Sequence, residues 1–413
     1  MSIVSSANHQ RPGVVIEQFS PPPALDFRTG VAGFLGPAVA VGTPPADLPD
    51  PLQPGPGDPQ QPFMSWHDFT AAFRDDRGWL TDRWFPDELM WNAVQGYFQN
   101  GGTRCWIVFY DLRSGDTRSA LEAAVGRLAV IDDVDLVCAP SLVARADTAL
   151  ELQQQLIRSF ELVGDDGPRR DDWFLLLDPP EATAELPDRI DALRATPSDH
   201  PENIAIYYPW IQLSGDGEPP PLPPGAQPLQ RVPPSGHVAG IFARTDQQVG
   251  VHKAPANEPI EGIVDVDEVD DVEAANPLRA FPGRGIRVWG ARTFATGPAV
   301  GANQFVNVRR LVLTLERWLV RALDWVVFET NSFQLWVRVN RELNAALGAL
   351  FLQGAFAGRS PDEGFSVKCD ADNNPADVRA GGKLQIDIQI APVVPKEFIQ
   401  IRVVRSAEGL TVM

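Results

Sequence analysis

An α/β fold that passes into α+β in its C-terminal part is predicted by three observations. Between about residues 100 and 215, short apolar segments alternate with amphipathic ones, as in a largely parallel sheet with crossover helices. The last third carries two long stretches of helical apolar spacing and then two strands of strict alternation. Near each end lies a short strand-forming segment that needs a partner sheet.

Taken in order, Arg11, Pro12 and Gly13 form a turn. Val14, Val15, Ile16, Glu17, Gln18 and Phe19 then read as a strand stopped by Pro21, Pro22 and Pro23. VAGFLG (residues 31–36) reads as a buried strand with close backbone approach at its glycines. A proline-rich loop spans residues 43–62. Helices are expected from Ser65 and over residues 87–100, the second closed by Gly101 and Gly102, and CWIVFY (105–110) is a central strand. The alternation continues with helices over 121–130, 147–163 and 186–195 and strands over 134–139, 173–177 and 204–208. A second proline-rich loop covers 219–234.

In the last third, the Pro-Gly turn of FPGRGIRVWGAR (281–292) leads into a short β-like segment. Val308, Leu311, Val312, Leu315 and Leu319 recur at helical spacing, giving a helix over 303–323 with Arg310, Arg317 and Arg321 on another face. Residues 325–328 read as a strand. Asn331 is expected to cap a second helix, with Gln334 completing a capping box. Its apolar stripe is Trp336, Val339, Leu343, Leu347 and Leu350. Residues 365–369 form a strand. Leu384, Ile386, Ile388 and Ile390 alternate with polar residues, as do Ile399, Ile401 and Val403 with Gln400 and Arg402. The boundaries that follow are an arm over 1–23, an α/β domain over 24–290 and a C-terminal domain over 291–413.

The 413 residues are enough for two or three domains. No run of 18 apolar residues suggests a membrane span, and the first residues lack the pattern of a signal peptide, so folding in the cytoplasm is expected. A net charge of −19 argues against nucleic acid and anionic membranes as partners. Cys105, Cys138 and Cys369 are too scattered for a disulfide framework or a CxxC metal site.

Motifs for chemistry are sparse. There is no GxGxxG at a strand–helix junction, no GxxxxGK[ST] and no GxSxG, and no cofactor is expected. Ser235 and His237 lie close in sequence, which reads as a turn serine and a backbone-bonded histidine rather than a nucleophile and its base. His237 and His252 lack a third metal ligand and read as structural or interface residues. The segment 250–258 is open to two readings, an active-site lid or a packing plug. The acidic stretch 262–273 reads as a solvated loop or edge, with a cation or partner surface as the alternative. The arginine stripe is either a solvated helix face or a docking face for an acidic partner.

Several motifs carry a resemblance. PGVVIEQ (12–18), VAGFLGPA (31–38), YFQNGGTRCWIV (97–108), LLLDPP (175–180) and YYPWIQ (207–212) come first. VPPSGHVAGIFARTDQQVGVHKAPANE (232–258) is the longest, followed by FPGRGIRVWGART (281–293), NVRRLVLTLE (307–316), WVVFETN (325–331), FSVKCD (365–370) and IAPVVPKEFIQIRV (390–403). In this order they resemble the contractile tail sheath family, the sheaths of contractile phage tails and of phage-tail-like injection particles. The loop 43–62 and the short acidic stretch between residues 258 and 281 depart from that pattern.

The resemblance implies a tail-sheath fold and a structural, non-enzymatic subunit. Such subunits stack as six-fold rings around an inner tube and contract to drive it through a target envelope. It implies self-association, with an inner tube protein, baseplate and cap as partners, assembled in the cytoplasm and part of a phage tail or released particle. A cap or baseplate adaptor is the alternative, and an α/β enzyme a more distant one. It also implies exchanged strands: Val14, Val15, Ile16 and Glu17 at one end and Ile399, Gln400, Ile401, Arg402 and Val403 at the other. The receiving strand would be that of Leu384, Ile386, Ile388 and Ile390. Arg310, Arg317 and Arg321 are the expected tube-docking residues. The modest length is similar to that of compact injection-particle sheaths.

Overall fold

The computed structural model describes residues 27–39, 61–73, 85–110, 116–162, 172–181, 185–220, 222, 227–393, 399–406 and 409–412. The N-terminal strand at Val14, Val15, Ile16 and Glu17 and most of the loop 43–62 lie outside the described residues.

The first half runs β1 (Ala32–Val39), α1 (Trp66–Phe73), β2 (Phe85–Pro86), α2 (Glu88–Gln99), β3 (Cys105–Tyr110), α3 (Thr117–Ala129), β4 (Leu136–Cys138), α4 (Ala146–Leu162), β5 (Phe174–Leu177), α5 (Leu186–Arg194) and β6 (Ile204–Tyr208). There follow β7 (Ile211–Leu213), β8 (Arg231–Val232), α6 (Ser235–Gln248), β9 (Ile263–Val266), β10 (Asn276–Phe281) and β11 (Gly285–Val288). An eight-stranded sheet has the order β11-β10-β6-β5-β4-β1-β2, with β3 also on β1. Its interior pairs are parallel and the β10–β11 and β1–β2 pairs antiparallel. A smaller antiparallel sheet, β8-β7-β9, lies alongside.

Both faces of the large sheet are covered, which is why its strands are apolar without a wet side. The two-residue period still sorts the side chains. Phe174, Leu176, Ala205 and Tyr207 enter one core with Trp91 of α2 and Phe242 of α6. Leu175, Leu177, Ile204 and Ile206 enter the other with Leu121 of α3, Leu156 of α4 and Ile190 of α5.

Helix α6 occupies a stretch to which the sequence assigns no element beyond a turn at Ser235. Two of its glycines serve close approach to α2. A Cβ on Gly236 would stand 2.3 Å from the carbonyl oxygen of Ala93, and one on Gly240 2.3 Å from that of Tyr97.

The C-terminal part comprises α7 (Val306–Ala322), α8 (Phe333–Leu352), α9 (Pro361–Gly364), β12 (Phe365–Lys368), α10 (Ala376–Ala380), β13 (Leu384–Ile390), β14 (Ile399–Ser406) and β15 (Gly409–Val412). A third core joins Leu311, Leu315 and Leu319 of α7, Val339, Leu343 and Leu347 of α8, and Ile386 and Ile388 of β13. Helix α7 also sends Val306 and Leu313 into the first core, so it is shared by both halves of the molecule.

Two local expectations are corrected. Residues Asp324–Phe328 form a 3-10 turn, not a strand: four apolar residues carry too little period to separate the two, and this run continues directly from α7. Ser332, not Asn331, caps α8 by accepting from the Leu335 amide. Asn331 instead accepts from the Trp336 indole at 2.6 Å and donates to the Lys383 carbonyl at 2.8 Å.

Candidate assembly interface

The terminal sheet has the order β12-β13-β14-β15, every pair antiparallel. Leu384, Ile386, Ile388 and Ile390 of β13 are buried, with Gln385, Asp387 and Gln389 on the wetter face. The strand expected to leave for a neighbour is here paired with the receiving strand of its own chain. Register runs from Leu384 opposite Arg405 to Ile390 opposite Ile399 without a break, with Ile401 opposite Ile388 and Val403 opposite Ile386. On its other side β12 pairs with no further strand among the described residues.

The start of β13 is held by side chains that imitate a strand. Asn374 donates to the Gln385 carbonyl at 2.9 Å and accepts from the Gln385 amide at 2.8 Å. Asn373 donates to the Lys368 carbonyl at 2.7 Å, and Asn340 of α8 donates to that of Cys369 at 2.6 Å. Asn374 is fully buried, so its amide does the work of the missing ladder partner in a place water does not reach. The dipeptide NN at 373–374 was the available sequence signal, and it reads equally well as a plain turn.

The arginine stripe does not form a docking face. Arg310 is 3% exposed and grips Asp246 of α6 with a two-pronged contact of 2.9 and 2.6 Å. It also reaches Asp135 at 3.0 Å and lies 4.9 Å from the centre of the Phe242 ring. Burial alone would lower the arginine pKa, but the Asp246 and Asp135 carboxylates outweigh it and hold the guanidinium charged. Burial raises the Asp246 carboxyl, opposed by Arg310. Asp135 further accepts from the amides of Gly30 and Val31 at 3.0 and 2.6 Å. Arg317 is largely covered, donating to the Val134 carbonyl at 3.2 Å and lying 3.7 Å from Asp172. Arg321 alone is exposed, donating to the Asp132 carbonyl at 3.2 Å. The polar face of α7 is therefore sewn to the α/β layer. Helical spacing revealed two stripes on this helix but not what covers each; Asp135 and Asp246, far away in sequence, escaped notice.

The Ser235, His237 pair lies in the first turn of α6, both buried. The Ser235 amide donates to Asp178 at 2.8 Å, so a residue after β5 caps α6 from outside. Burial pushes the Asp178 carboxyl up to about 7. The His237 ring lies against Gly96 of α2, where a Cβ would stand 2.3 Å from it, and burial pushes its pKa down to about 4. Its Nδ1 has no hydrogen-bond partner among the described residues, so the backbone bond expected of it is not seen there. In the segment 250–258, Lys253 pairs with Glu258, and the Asn257 and Glu258 backbone bonds to Val288, which favours the packing-plug reading. Among the described residues no group of three or more His, Cys, Asp or Glu side chains is placed to hold a metal ion. No described helix is long and apolar enough to cross a membrane.

An α/β body, a helix shared between two cores and a C-terminal sheet completed by β14 and β15 make up the architecture. Residues 200–294 match the phage tail sheath protein central domain. A putative prophage major tail sheath protein of Pseudomonas aeruginosa (strain UCBPP-PA14) is 29% identical over 196 residues, 44% of this chain and 48% of that protein. The chain thus spans about half the length of this curated relative. A solved anti-feeding prophage helical sheath in its contracted state is 27% identical with a TM-score of 0.65, covering 96% of this chain and 98% of that one. An anti-feeding prophage baseplate structure, 6-fold symmetrised, contains a chain 25% identical with a TM-score of 0.64, covering 94% and 97%. The chain is thus similar in part to phage tail sheath proteins and, over nearly its whole length, to a solved sheath of a contractile particle.

Proposed function

We propose that the chain is a structural subunit of a contractile sheath, polymerising as stacked six-fold rings around an inner tube. Its contraction would drive the tube through a target cell envelope. The observation that carries this reading is the end-to-end likeness to a contracted helical sheath, 96% of this chain against 98% of that one. The work of contraction is then the free-energy difference between two packings of the same subunits, with no catalytic step. Self-association, baseplate, inner tube and cap proteins are the partners, and assembly takes place in the cytoplasm before use or release.

In this reading Val14, Val15, Ile16 and Glu17 and the strand of Ile399, Gln400, Ile401, Arg402 and Val403 link neighbours by strand addition. The open side of β12 and the β13 position now filled by β14 are the two places a neighbour's strand can join. Of the three arginines expected to dock the tube, Arg310 and Arg317 are covered within the subunit and Arg321 is exposed on α7.

Negative-stain electron microscopy of the protein, alone and with its tube partner, tests the proposal. Hollow ribbed sleeves that vanish on deletion of residues 1–20 or 397–413 are expected. Small discrete particles from the intact chain in both preparations would overturn it in favour of a cap or adaptor.

A further inference from the structure

Two surfaces of unlike character sit at opposite ends of the eight-stranded sheet. At the β3 end a cleft of about 440 Å³ is lined by Trp106, Arg127, Val130, Ile131 and Arg28 together with Asp132 and Asp133. Its wall is largely apolar, with Val130 68% exposed. Its rim is basic. Arg28 is exposed and makes no ion pair among the described residues. Arg321 reaches in from α7 and spends its hydrogen bond on the Asp132 backbone, not on a carboxylate. Asp133 is already occupied by Arg104 and the Trp106 indole, at 2.8 and 2.7 Å.

Beyond β10, at the other end, runs the acidic segment after β9. Asp265, Glu268, Asp270 and Glu273 are exposed, and none of the four forms an ion pair with a described residue. Val264 beside them is 56% exposed. The segment is ordered from below. The Tyr208 hydroxyl accepts from the Val272 amide at 2.8 Å and donates to the Asp270 carbonyl at 3.2 Å. Val269 and Val272 pack against the second core. A fixed acidic ridge bearing an exposed valine thus lies beside β10, and an apolar cleft with arginines at its edge lies beside β3.

We propose that the cleft receives the acidic ridge of a second copy of this chain, Val264 seating against Val130 and Trp106 while Glu268 and Asp270 meet Arg28 and Arg321. The charges are opposite in sign, and in a chain of net charge −19 acidic ridges would repel each other unless each met arginines. Because the two surfaces differ and lie at opposite ends of one sheet, the contact is head-to-tail. Repeated, it generates a ring or an open helix, where a like-to-like contact would stop at a dimer. The inference rests on the self-assembly reading above, but it concerns contacts between bodies and not the exchanged strands.

The test has two arms, both using the full chain. Arg28→Glu with Arg321→Glu, and separately Glu268→Lys with Asp270→Lys, should each raise the protein concentration needed for sleeves by about tenfold or more. Combining all four should restore it, with circular dichroism unchanged throughout. In the second arm Val130→Cys and Val264→Cys are placed in one chain and oxidised with diamide. The three native cysteines are buried and give little background. A ladder of dimers, trimers and higher species is expected from the double variant, with monomer from either single variant. Sleeves forming normally in both reversal variants would overturn the proposal, as would failure of the fourfold variant to recover. Sleeves from the double cysteine variant that give no ladder would do the same. If the unmodified chain forms no sleeves, it is the function reading that fails, while a ladder in solution would still establish the contact. If the reversals affect only co-assembly with the tube, the cleft belongs to the tube and the proposal is wrong.

Discussion

Arg310→Met tests whether the polar face of α7 is a clamp within the subunit. The substitution keeps much of the side-chain volume and removes three contacts to carboxylates, at 2.9 and 2.6 Å to Asp246 and 3.0 Å to Asp135. Stranding one half of a buried ion pair typically costs about 3–5 kcal/mol. The protein has an escape, because an abandoned carboxylate can take up a proton. From an ordinary pKa near 3.8 that uptake costs about 4 kcal/mol at pH 7, at roughly 1.4 kcal/mol per pH unit. The two figures agree, so a loss of about 4 kcal/mol is expected at pH 7. The deficit should shrink by about 1.4 kcal/mol for each unit of acidification, to below about 2 kcal/mol at pH 5. Urea unfolding of the isolated subunit at pH 5, 6 and 7, followed by tryptophan fluorescence, measures this. A second variant, Arg310→Met with Asp246→Leu, should recover part of the loss. A deficit under about 1 kcal/mol at pH 7, or one that does not change with pH, would refute the clamp.

Three further outcomes are expected. Asp178 and His237 should oppose each other in the pH dependence of stability. The raised Asp178 pKa contributes stability that is present below about 3.8 and lost as pH rises through about 7. The lowered His237 pKa contributes stability that is present above about 6.5 and lost as pH falls through about 4. Between these values the two slopes cancel, so Asp178→Asn should make stability fall on acidification below pH 6.5, and His237→Gln should make it rise; urea midpoints across that range decide. Gly236→Ala should destabilise by about 1–3 kcal/mol, because the new methyl meets the Ala93 carbonyl at 2.3 Å. Gly126→Ala in α3, where nothing lies within 4 Å, should instead stabilise by about 0.5–1 kcal/mol, and thermal melts of the pair should move in opposite directions. Asn374→Ala should cost about 1–3 kcal/mol by leaving the Gln385 backbone unpartnered, and hydrogen exchange should quicken in β12 and β13 and not in β5.

Periodicity carried much of the fold. The alternation in LQIDIQI at 384–390 and the helical spacing of Val308, Leu311, Leu315 and Leu319 are local patterns, and both elements stand where they were expected. Beyond the short run at 324–328 and the cap at Ser332, which are local, the other misses depend on a partner distant in sequence. The helix carrying Gly236 and Gly240 goes unread in the sequence, and its glycines make sense only with α2 beside them. Arg310 reads as a surface charge until Asp135 and Asp246 surround it, 175 and 64 residues away. The likeness to sheath proteins was legible because its motifs recur in order along the chain; the fate of each polar side chain was not, because charge on a helix says nothing of what the helix packs against.

The pairing of β14 with β13 bears on how a polymer of such subunits would be driven. Seven register positions join the two strands within one chain. If the same strand instead joined the β13 of a neighbour, the same ladder and the same facing positions would form again. The exchange is then close to neutral in contacts, as in any swap of identical elements between copies. What it changes is connectivity: a strand held by a neighbour keeps that neighbour at a high effective concentration for every other contact. Such an exchange would then set which subunits stay together, while net stability would come from surfaces that the free subunit leaves uncovered. The cleft around Val130 and the acidic ridge near Val264 are surfaces of that kind. Between these two roles sits the Arg310 clamp. It ties α7, which also packs against β13 in the third core, to the α/β layer, so in a polymer α7 would move with that layer and carry a change in packing between bodies toward the terminal sheet.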